Sequence, residues 1–137
     1  MSAKTAVRYS GSCLCGSVRY EVDADIRNVT HCHCSMCRKA HGTAFGSYGS
    51  VRREQFRLLQ GEDCLASYES STGVTRRFCS VCGAHLLWLS ESRYPEWASL
   101  ALGTLDTPFM PAKQRHIHVA SKAQWHVIGD DWPQQME

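Results

Sequence analysis

The sequence lacks the long apolar segments that mark membrane and secreted proteins. No stretch approaches the roughly 20 consecutive apolar residues that a membrane-spanning helix needs. Residues 1–12 are polar, contain Lys4 and Arg8, and include no apolar run of signal-peptide length. These absences predict a cytoplasmic protein without membrane contacts.

Three further features are missing, and each excludes a class of protein. No amphipathic pattern of helical length appears, which argues against a helical bundle. The chain has no internal repeat or linker, so residues 1–137 are predicted to form one domain with a core of about 8–133. No block of Lys and Arg appears. The formal charge of +2 assumes neutral thiols, and seven thiolates with two zinc ions would lower it to roughly −1, so we expect no nucleic-acid partner.

What the sequence does contain is a series of short strand patterns. Apolar and polar residues alternate from Val18 to Val22, which is the period of a half-buried strand. Further strands are predicted at residues 28–34, 44–50, 57–60, 65–69, 74–79, 84–89, 97–102, 116–119 and 125–128. Ser35 is predicted to cap a short helical turn through His41 that ends at Gly42. Many short strands indicate a mostly β fold.

Seven of the eight cysteines fall into three close groups. The groups are Cys13-x-Cys15, Cys32-x-Cys34-x-x-Cys37 and Cys79-x-x-Cys82. In a reducing compartment such spacing favours metal ligands over disulfides. Zinc with four thiolates forms a closed structural site, whereas three protein ligands leave a position open for water or substrate. The two outer pairs and the central trio therefore predict one closed site and one open site.

A second role for the trio stays open, which is another structural zinc site. Its fourth ligand would then be His31, His33, His41 or Cys64. In a strand, His33 points away from Cys32 and Cys34, which makes it a poor ligand. Cys64 is interpreted as a buried small apolar residue. His116, His118 and His126 are predicted to be surface or packing residues, and Trp88, Trp97, Trp125 and Trp132 to be core or pocket wall.

Four arginines are candidates for binding substrate carboxylates: Arg38, Arg52, Arg53 and Arg76. Arginine suits this role because its guanidinium binds a carboxylate with two parallel hydrogen bonds. The alternative for each of them is a place on a solvated strand face.

The ordered motifs resemble the family of glutathione-dependent formaldehyde-activating enzymes. The segments are Gly11-Ser-Cys-Leu-Cys-Gly16, Cys32-His-Cys-Ser-Met-Cys-Arg38, Gly42-Thr-Ala-Phe45, Arg76-Arg-Phe-Cys-Ser-Val-Cys-Gly83, Gly103-Thr-Leu-Asp106 and the stretch from His116 to Trp125. The resemblance implies an Mss4-like fold of several short antiparallel sheets around a structural zinc. It implies structural zinc on Cys13, Cys15, Cys79 and Cys82, and catalytic zinc on Cys32, Cys34 and Cys37.

The resemblance also implies a reaction, in which a zinc-dependent carbon–sulfur lyase joins formaldehyde to glutathione, giving S-hydroxymethylglutathione. Small thiols and aldehydes would then be the partners, with glutathione as co-substrate. Two zinc ions per chain are expected, and the ion on three thiolates should leave more readily. Two alternatives remain: a zinc enzyme with another small substrate, and a zinc-stabilised binding module without catalysis. Centromere protein V and Mss4 show that related folds also serve for binding, and such a module would have a filled second site and no pocket.

Overall fold

The computed structural model describes residues 8–137, so the part of the polar segment that contains Lys4 lies outside the described residues. The strands are β1 Tyr9–Ser12, β2 Arg19–Val22, β3 Arg27–Cys32, β4 Gly46–Arg52, β5 Phe56–Gln60, β6 Leu65–Ser71, β7 Val74–Cys79, β8 His85–Ser90, β9 Trp97–Ala101 and β10 Gln114–Ile117. The helix α1 spans Ser35–His41. Short 3-10 helices lie at Arg53–Gln55, Glu62–Cys64, Leu102–Thr104 and Val119–Ser121. Within residues 8–137, no helix has both the length and the apolar character to cross a membrane.

The strands form two sheets. A three-stranded sheet has the order β1-β2-β5, and a seven-stranded sheet has the order β10-β3-β4-β9-β8-β7-β6. All neighbours are antiparallel except β10 and β3, which pair in parallel with His116 opposite His31. The prediction of a mostly β fold built from antiparallel sheets is confirmed.

The two faces of the larger sheet have different surroundings, because successive side chains on a strand point to opposite sides. Val51, Leu87 and Leu100 face the smaller sheet and join one apolar core with Tyr20 and Val22 of β2. Residues of the opposite parity, among them Tyr48 and Arg76, face a cavity instead. The larger sheet therefore separates the main core from the candidate site.

Several predicted boundaries were wrong, and each has a local cause. β3 ends at Cys32 instead of residue 34, because Cys34 is the N-cap of α1 in place of the predicted Ser35. Its sulfur accepts a hydrogen bond from the Cys37 N–H at 3.3 Å. β10 ends at Ile117 because His118 has a positive φ of 55°. Gly42 ends α1 in the left-handed conformation, as predicted.

The predicted strand at 125–128 is absent, and Trp125 is 73% exposed instead of lying in the core or a pocket wall. The open edge of β10 is taken by residues 133–136. The His116 N–H donates to the Pro133 carbonyl at 2.8 Å, and the Gln135 N–H donates to the His116 carbonyl at 2.9 Å. Residues 125–128 therefore cannot pair with this edge of β10, and without strand partners for their backbone groups they remain a loop. The structure also adds β1, which the sequence patterns did not indicate.

Candidate metal centres and active-site pocket

Cys13, Cys15, Cys79 and Cys82 form one cluster in which all sulfurs lie within 4.8 Å of one another. The loop after β1 supplies the first pair, and the turn from β7 to β8 supplies the second. Each turn ends on a glycine with positive φ, 82° at Gly16 and 81° at Gly83. Both turns are also closed in the same way, since each glycine N–H donates to the carbonyl of the first cysteine of its pair.

Backbone N–H groups point at the sulfurs of this cluster. The Val18 N–H donates to the Cys13 sulfur at 3.2 Å, and the Cys82 N–H donates to the Cys79 sulfur at 3.4 Å. Backbone hydrogen bonds from Ala84 and Cys15 lower the pKa of the Cys82 thiol to about 6. A backbone hydrogen bond from Cys82 acts to lower the pKa of Cys79, but burial and the neighbouring thiols outweigh it and raise that pKa to about 11. Four sulfur donors within 4.8 Å of one another fit a tetrahedral zinc ion.

Cys32, Cys34 and Cys37 form a second cluster, also with all sulfurs within 4.8 Å. Cys32 ends β3, Cys34 caps α1, and Cys37 lies in the first turn of that helix. Cys32 and Cys37 are buried, whereas Cys34 is half-buried. Hydrogen bonds with Cys32 and Cys37 lower the pKa of Cys34, and hydrogen bonds with Cys34 and Cys37 raise the pKa of Cys32. Without a metal ion, the three sulfurs therefore share protons as one coupled group.

No fourth His, Cys, Asp or Glu among residues 8–137 joins the trio. The histidines that the sequence offered are engaged elsewhere. His31 bonds Ser47 and Gln114 through its two ring nitrogens, at 2.8 and 2.7 Å. His33 is fully buried and bonds His116 at 2.8 Å, and His116 bonds the Asp130 carboxylate at 2.9 Å. Cys64 is half-buried against the main core. The trio thus has three protein donors and a place for a fourth ligand.

A buried polar network contacts the trio from the side of β7. Arg76 is 4% exposed and donates from Nη2 to the Cys37 sulfur at 3.6 Å and from Nη1 to the Tyr48 hydroxyl at 3.2 Å. Tyr48 also contacts His41 Nε2 at 2.6 Å and donates to the Cys37 sulfur at 3.8 Å. Burial acts to lower the pKa of Arg76, but the hydrogen bond and charge of Cys37 outweigh it and raise that pKa. The network therefore keeps a cation beside Cys37.

A cavity of about 590 Å³ lies over the trio, with Cys32 and Cys34 in its wall. Its aromatic residues are Tyr48, Trp88, Tyr94 and Trp97, and its cations are Arg27, Arg76, Arg93 and Arg115. His118 lines it as well, whereas no Asp or Glu among the described residues does. The volume is within the range of small-molecule sites, and the lining favours an anionic ligand.

Of the four arginines singled out from the sequence, Arg76 alone is part of the described cavity wall. Arg38 donates to the His33 carbonyl at 3.3 Å. Arg52 pairs with Glu96 at 3.0 Å, and Arg53 pairs with Glu91 at 2.8 Å. Sequence reasoning missed Arg27, Arg93, Arg115 and Tyr48. Strand alternation could have placed Arg115 beside Ile117 on one face, but nothing local shows that β10 pairs with β3.

Together the fold and these clusters define a small β protein with two sulfur centres able to hold metal ions, one of them open to a cavity. The model of the family "Glutathione-dependent formaldehyde-activating enzyme" matches residues 8–121. The chain belongs to this family.

Relatives whose names place them in the same enzyme family support this assignment. A Halomonas elongata protein is 29% identical over 125 residues, which is 86% of this chain and 79% of the relative. A Fusarium vanettenii protein is 34% identical over 98 residues, 67% of this chain and 52% of the relative. The chain therefore spans about half the length of that fungal relative. A Rhodobacter sphaeroides protein of known crystal structure matches with a TM-score of 0.61 and 26% identity, over 74% of this chain and 97% of that one.

Proposed function

We propose that the protein is a zinc-dependent carbon–sulfur lyase that joins or cleaves a thiol–aldehyde adduct such as S-hydroxymethylglutathione. One observation carries this proposal: the three-cysteine cluster forms part of the wall of a cavity that contains four arginines and no carboxylate among its described lining residues. A site of this kind can bind an anionic thiol substrate and present its sulfur to the open position. The cavity also favours an enzyme over a binding module, for which a filled second site and no pocket are expected.

The residues present fit zinc at both clusters. Cys13, Cys15, Cys79 and Cys82 supply four sulfurs for a structural ion, and Cys32, Cys34 and Cys37 supply three for a catalytic ion. Sulfur donors in tetrahedral arrangements suit zinc among the common divalent metals. When bound, zinc on the trio would keep a coordinating thiol deprotonated at neutral pH and would polarise the aldehyde oxygen.

The protein's own contribution is to bind and orient the substrate. Glutathione contains two carboxylates, and the cavity wall offers the exposed Arg27 and Arg93 and the half-buried Arg115. Arg115 pairs with Thr30, two residues before Cys32 on the same strand face. Arg115 lines the same cavity as Cys32 and Cys34. It therefore offers a guanidinium for a substrate carboxylate in the cavity that holds the trio.

The reaction requires one bond between sulfur and carbon. The thiolate sulfur of the substrate bonds to the aldehyde carbon, and the π electron pair of the C=O bond moves to oxygen. That oxygen then takes up a proton, which replaces the one that the thiol lost on binding. Burial of Cys32 and Cys37 limits water at the sulfur side of the cavity, which strengthens the electrostatic interactions there.

Cobalt-substituted protein provides the test of substrate binding. Glutathione should change the cobalt spectrum, because a fourth sulfur alters the ligand field at one of the two metals, whereas S-methylglutathione, which lacks a free thiol, should not. Turnover is then measured against zinc-depleted protein at equal thiol concentration, because thiols add to formaldehyde spontaneously. Arg115→Met should raise KM for glutathione about tenfold or more with kcat largely kept. Arg57→Met, which removes a pair with Glu21 outside the cavity lining, is the matched control.

The proposal for glutathione is falsified if the cobalt spectrum does not respond to it and formaldehyde consumption equals that of the zinc-depleted control. The aromatic part of the wall, Trp88, Tyr94 and Trp97, favours a second candidate in that case. The same centre would then act on another small anionic substrate with a larger apolar part. A response of the cobalt spectrum to an aromatic thiol, but not to glutathione, would support this second candidate.

A further inference from the structure

Arg76 is a buried cation without a carboxylate partner. Among residues 8–137, the arginines that form salt bridges, Arg8, Arg52, Arg53 and Arg57, each pair with an Asp or Glu. The guanidinium of Arg76 instead bonds the Ser70 hydroxyl at 3.0 Å, the Tyr48 hydroxyl and the Cys37 sulfur. A buried charge is costly unless an opposite charge lies beside it. In this network only the sulfur of Cys37 can supply that charge, as a thiolate.

The Arg76 guanidinium compensates part of the negative charge at the trio. Three thiolates with one divalent ion have a net charge of about −1, and a thiolate as fourth ligand makes it about −2. Such a charge is unfavourable in a site where Cys32 and Cys37 are 5% and 3% exposed. The guanidinium of Arg76 offsets one unit of this charge. A neutral fourth ligand adds no charge and does not need that compensation.

We propose that Arg76 makes the three-cysteine centre selective for an anionic fourth ligand. The inference rests on the proposed function only in that a metal ion occupies the trio. Tyr48 is then a positioning residue, because its hydroxyl bonds Arg76, the Cys37 sulfur and His41 Nε2 at once. Since Arg76 also lines the cavity, its charge acts on the ligand as well as on the cysteine.

Cobalt-loaded protein tests this with two small probes, azide as the anion and imidazole as the neutral ligand. Arg76→Gln should weaken azide binding about tenfold or more and change imidazole binding less than about twofold. Arg76→Lys keeps the positive charge but lacks the planar guanidinium with its several N–H donors, and it should retain most of the preference for azide. Arg57→Gln is the matched control and should change neither affinity, because Arg57 pairs with Glu21 and neither residue lines the cavity.

Equal weakening of both probes, or no change in either, would overturn the inference, since a merely structural role of Arg76 affects both ligands alike. If Arg76→Gln does not fold, Tyr48→Phe serves instead, because it removes one partner of Arg76 and keeps its charge. That variant should reduce the azide preference partially, and an unchanged preference would also count against the inference. A sulfur-to-cobalt absorption band that disappears in Cys37→Ser shows that the trio holds cobalt. If no part of that absorption depends on Cys37, both proposals are refuted. Failure of glutathione alone would leave the azide and imidazole contrast intact.

Discussion

Loss of one thiolate from the four-cysteine cluster should cost about 2 kcal/mol more stability than loss of one from the trio. The perturbation is Cys79→Ser compared with Cys37→Ser in zinc-loaded protein. Both residues are buried, at 0% and 3% exposure, so the two substitutions bury a similar hydroxyl. They differ in the length of chain that each cluster closes.

The magnitude follows from that length. The four-cysteine cluster joins Cys15 to Cys79, 64 positions apart, with their sulfurs 3.9 Å from each other. Treated as a cross-link, closing a loop of this size removes about 4 kcal/mol of chain entropy from the unfolded state. The trio closes only the short segment from Cys32 to Cys37, which corresponds to about 2 kcal/mol. Since small domains have only about 5–15 kcal/mol of stability, Cys79→Ser should remove a large part of it.

The assay is denaturant unfolding followed by tryptophan fluorescence, with the zinc content of each variant measured before unfolding. Cys37→Ser should retain the cooperative transition and lose one zinc ion together with any activity. Cys64→Ser is the control, because Cys64 is half-buried and lies outside both clusters, and it should cost less than about 1 kcal/mol. Equal losses for Cys37→Ser and Cys79→Ser would refute the division into a catalytic and a structural centre. The trio would then stabilise the fold as strongly as the four-cysteine cluster does.

Two further predictions concern the scaffold. Burial raises the pKa of Tyr20 from 10.0 to about 12, so the unfolded state loses that proton first and stability should fall by about 2 kcal/mol as the pH rises from 10 to 12. Unfolding curves across this range should show a weaker fall for Tyr20→Phe, with the exposed Tyr68→Phe as control, and an unchanged fall would contradict the pKa shift. Gly61→Ala should cost about 1–3 kcal/mol, because Gly61 has a φ of 92° and a new Cβ would collide with the Ser17 carbonyl oxygen, whereas Gly103→Ala meets open space and should be nearly neutral. Similar melting temperatures for these two glycine variants would show that the turn tolerates a side chain.

The sequence predicted best those features that depend on neighbours in the chain. The cysteine spacings define clusters because each pair lies within one turn, and β7 matches the prediction at both ends since alternation and a turn fix them. The role of Arg76 was beyond the sequence, because it depends on the register that sets Arg76 opposite Trp88 and on the distance between β7 and β4. Cys34 as a cap was missed for a different reason, since a thiol is an unusual N-cap and Ser35 offered the usual one.

The parallel pairing of β10 with β3 has a consequence for the order in which the protein matures during synthesis. All four residues of the four-cysteine cluster precede residue 83, so a growing chain contains the complete donor set well before its last strand. The strand that ends in Cys32 obtains its second neighbour only when residues 114–117 are made, and residues 133–136 then cover the outer edge of that neighbour. Domains generally fold as units while translation proceeds at about 5–20 residues per second. The four cysteines can therefore bind a metal ion seconds before Arg115, Ile117 and His118 complete the wall of the cavity.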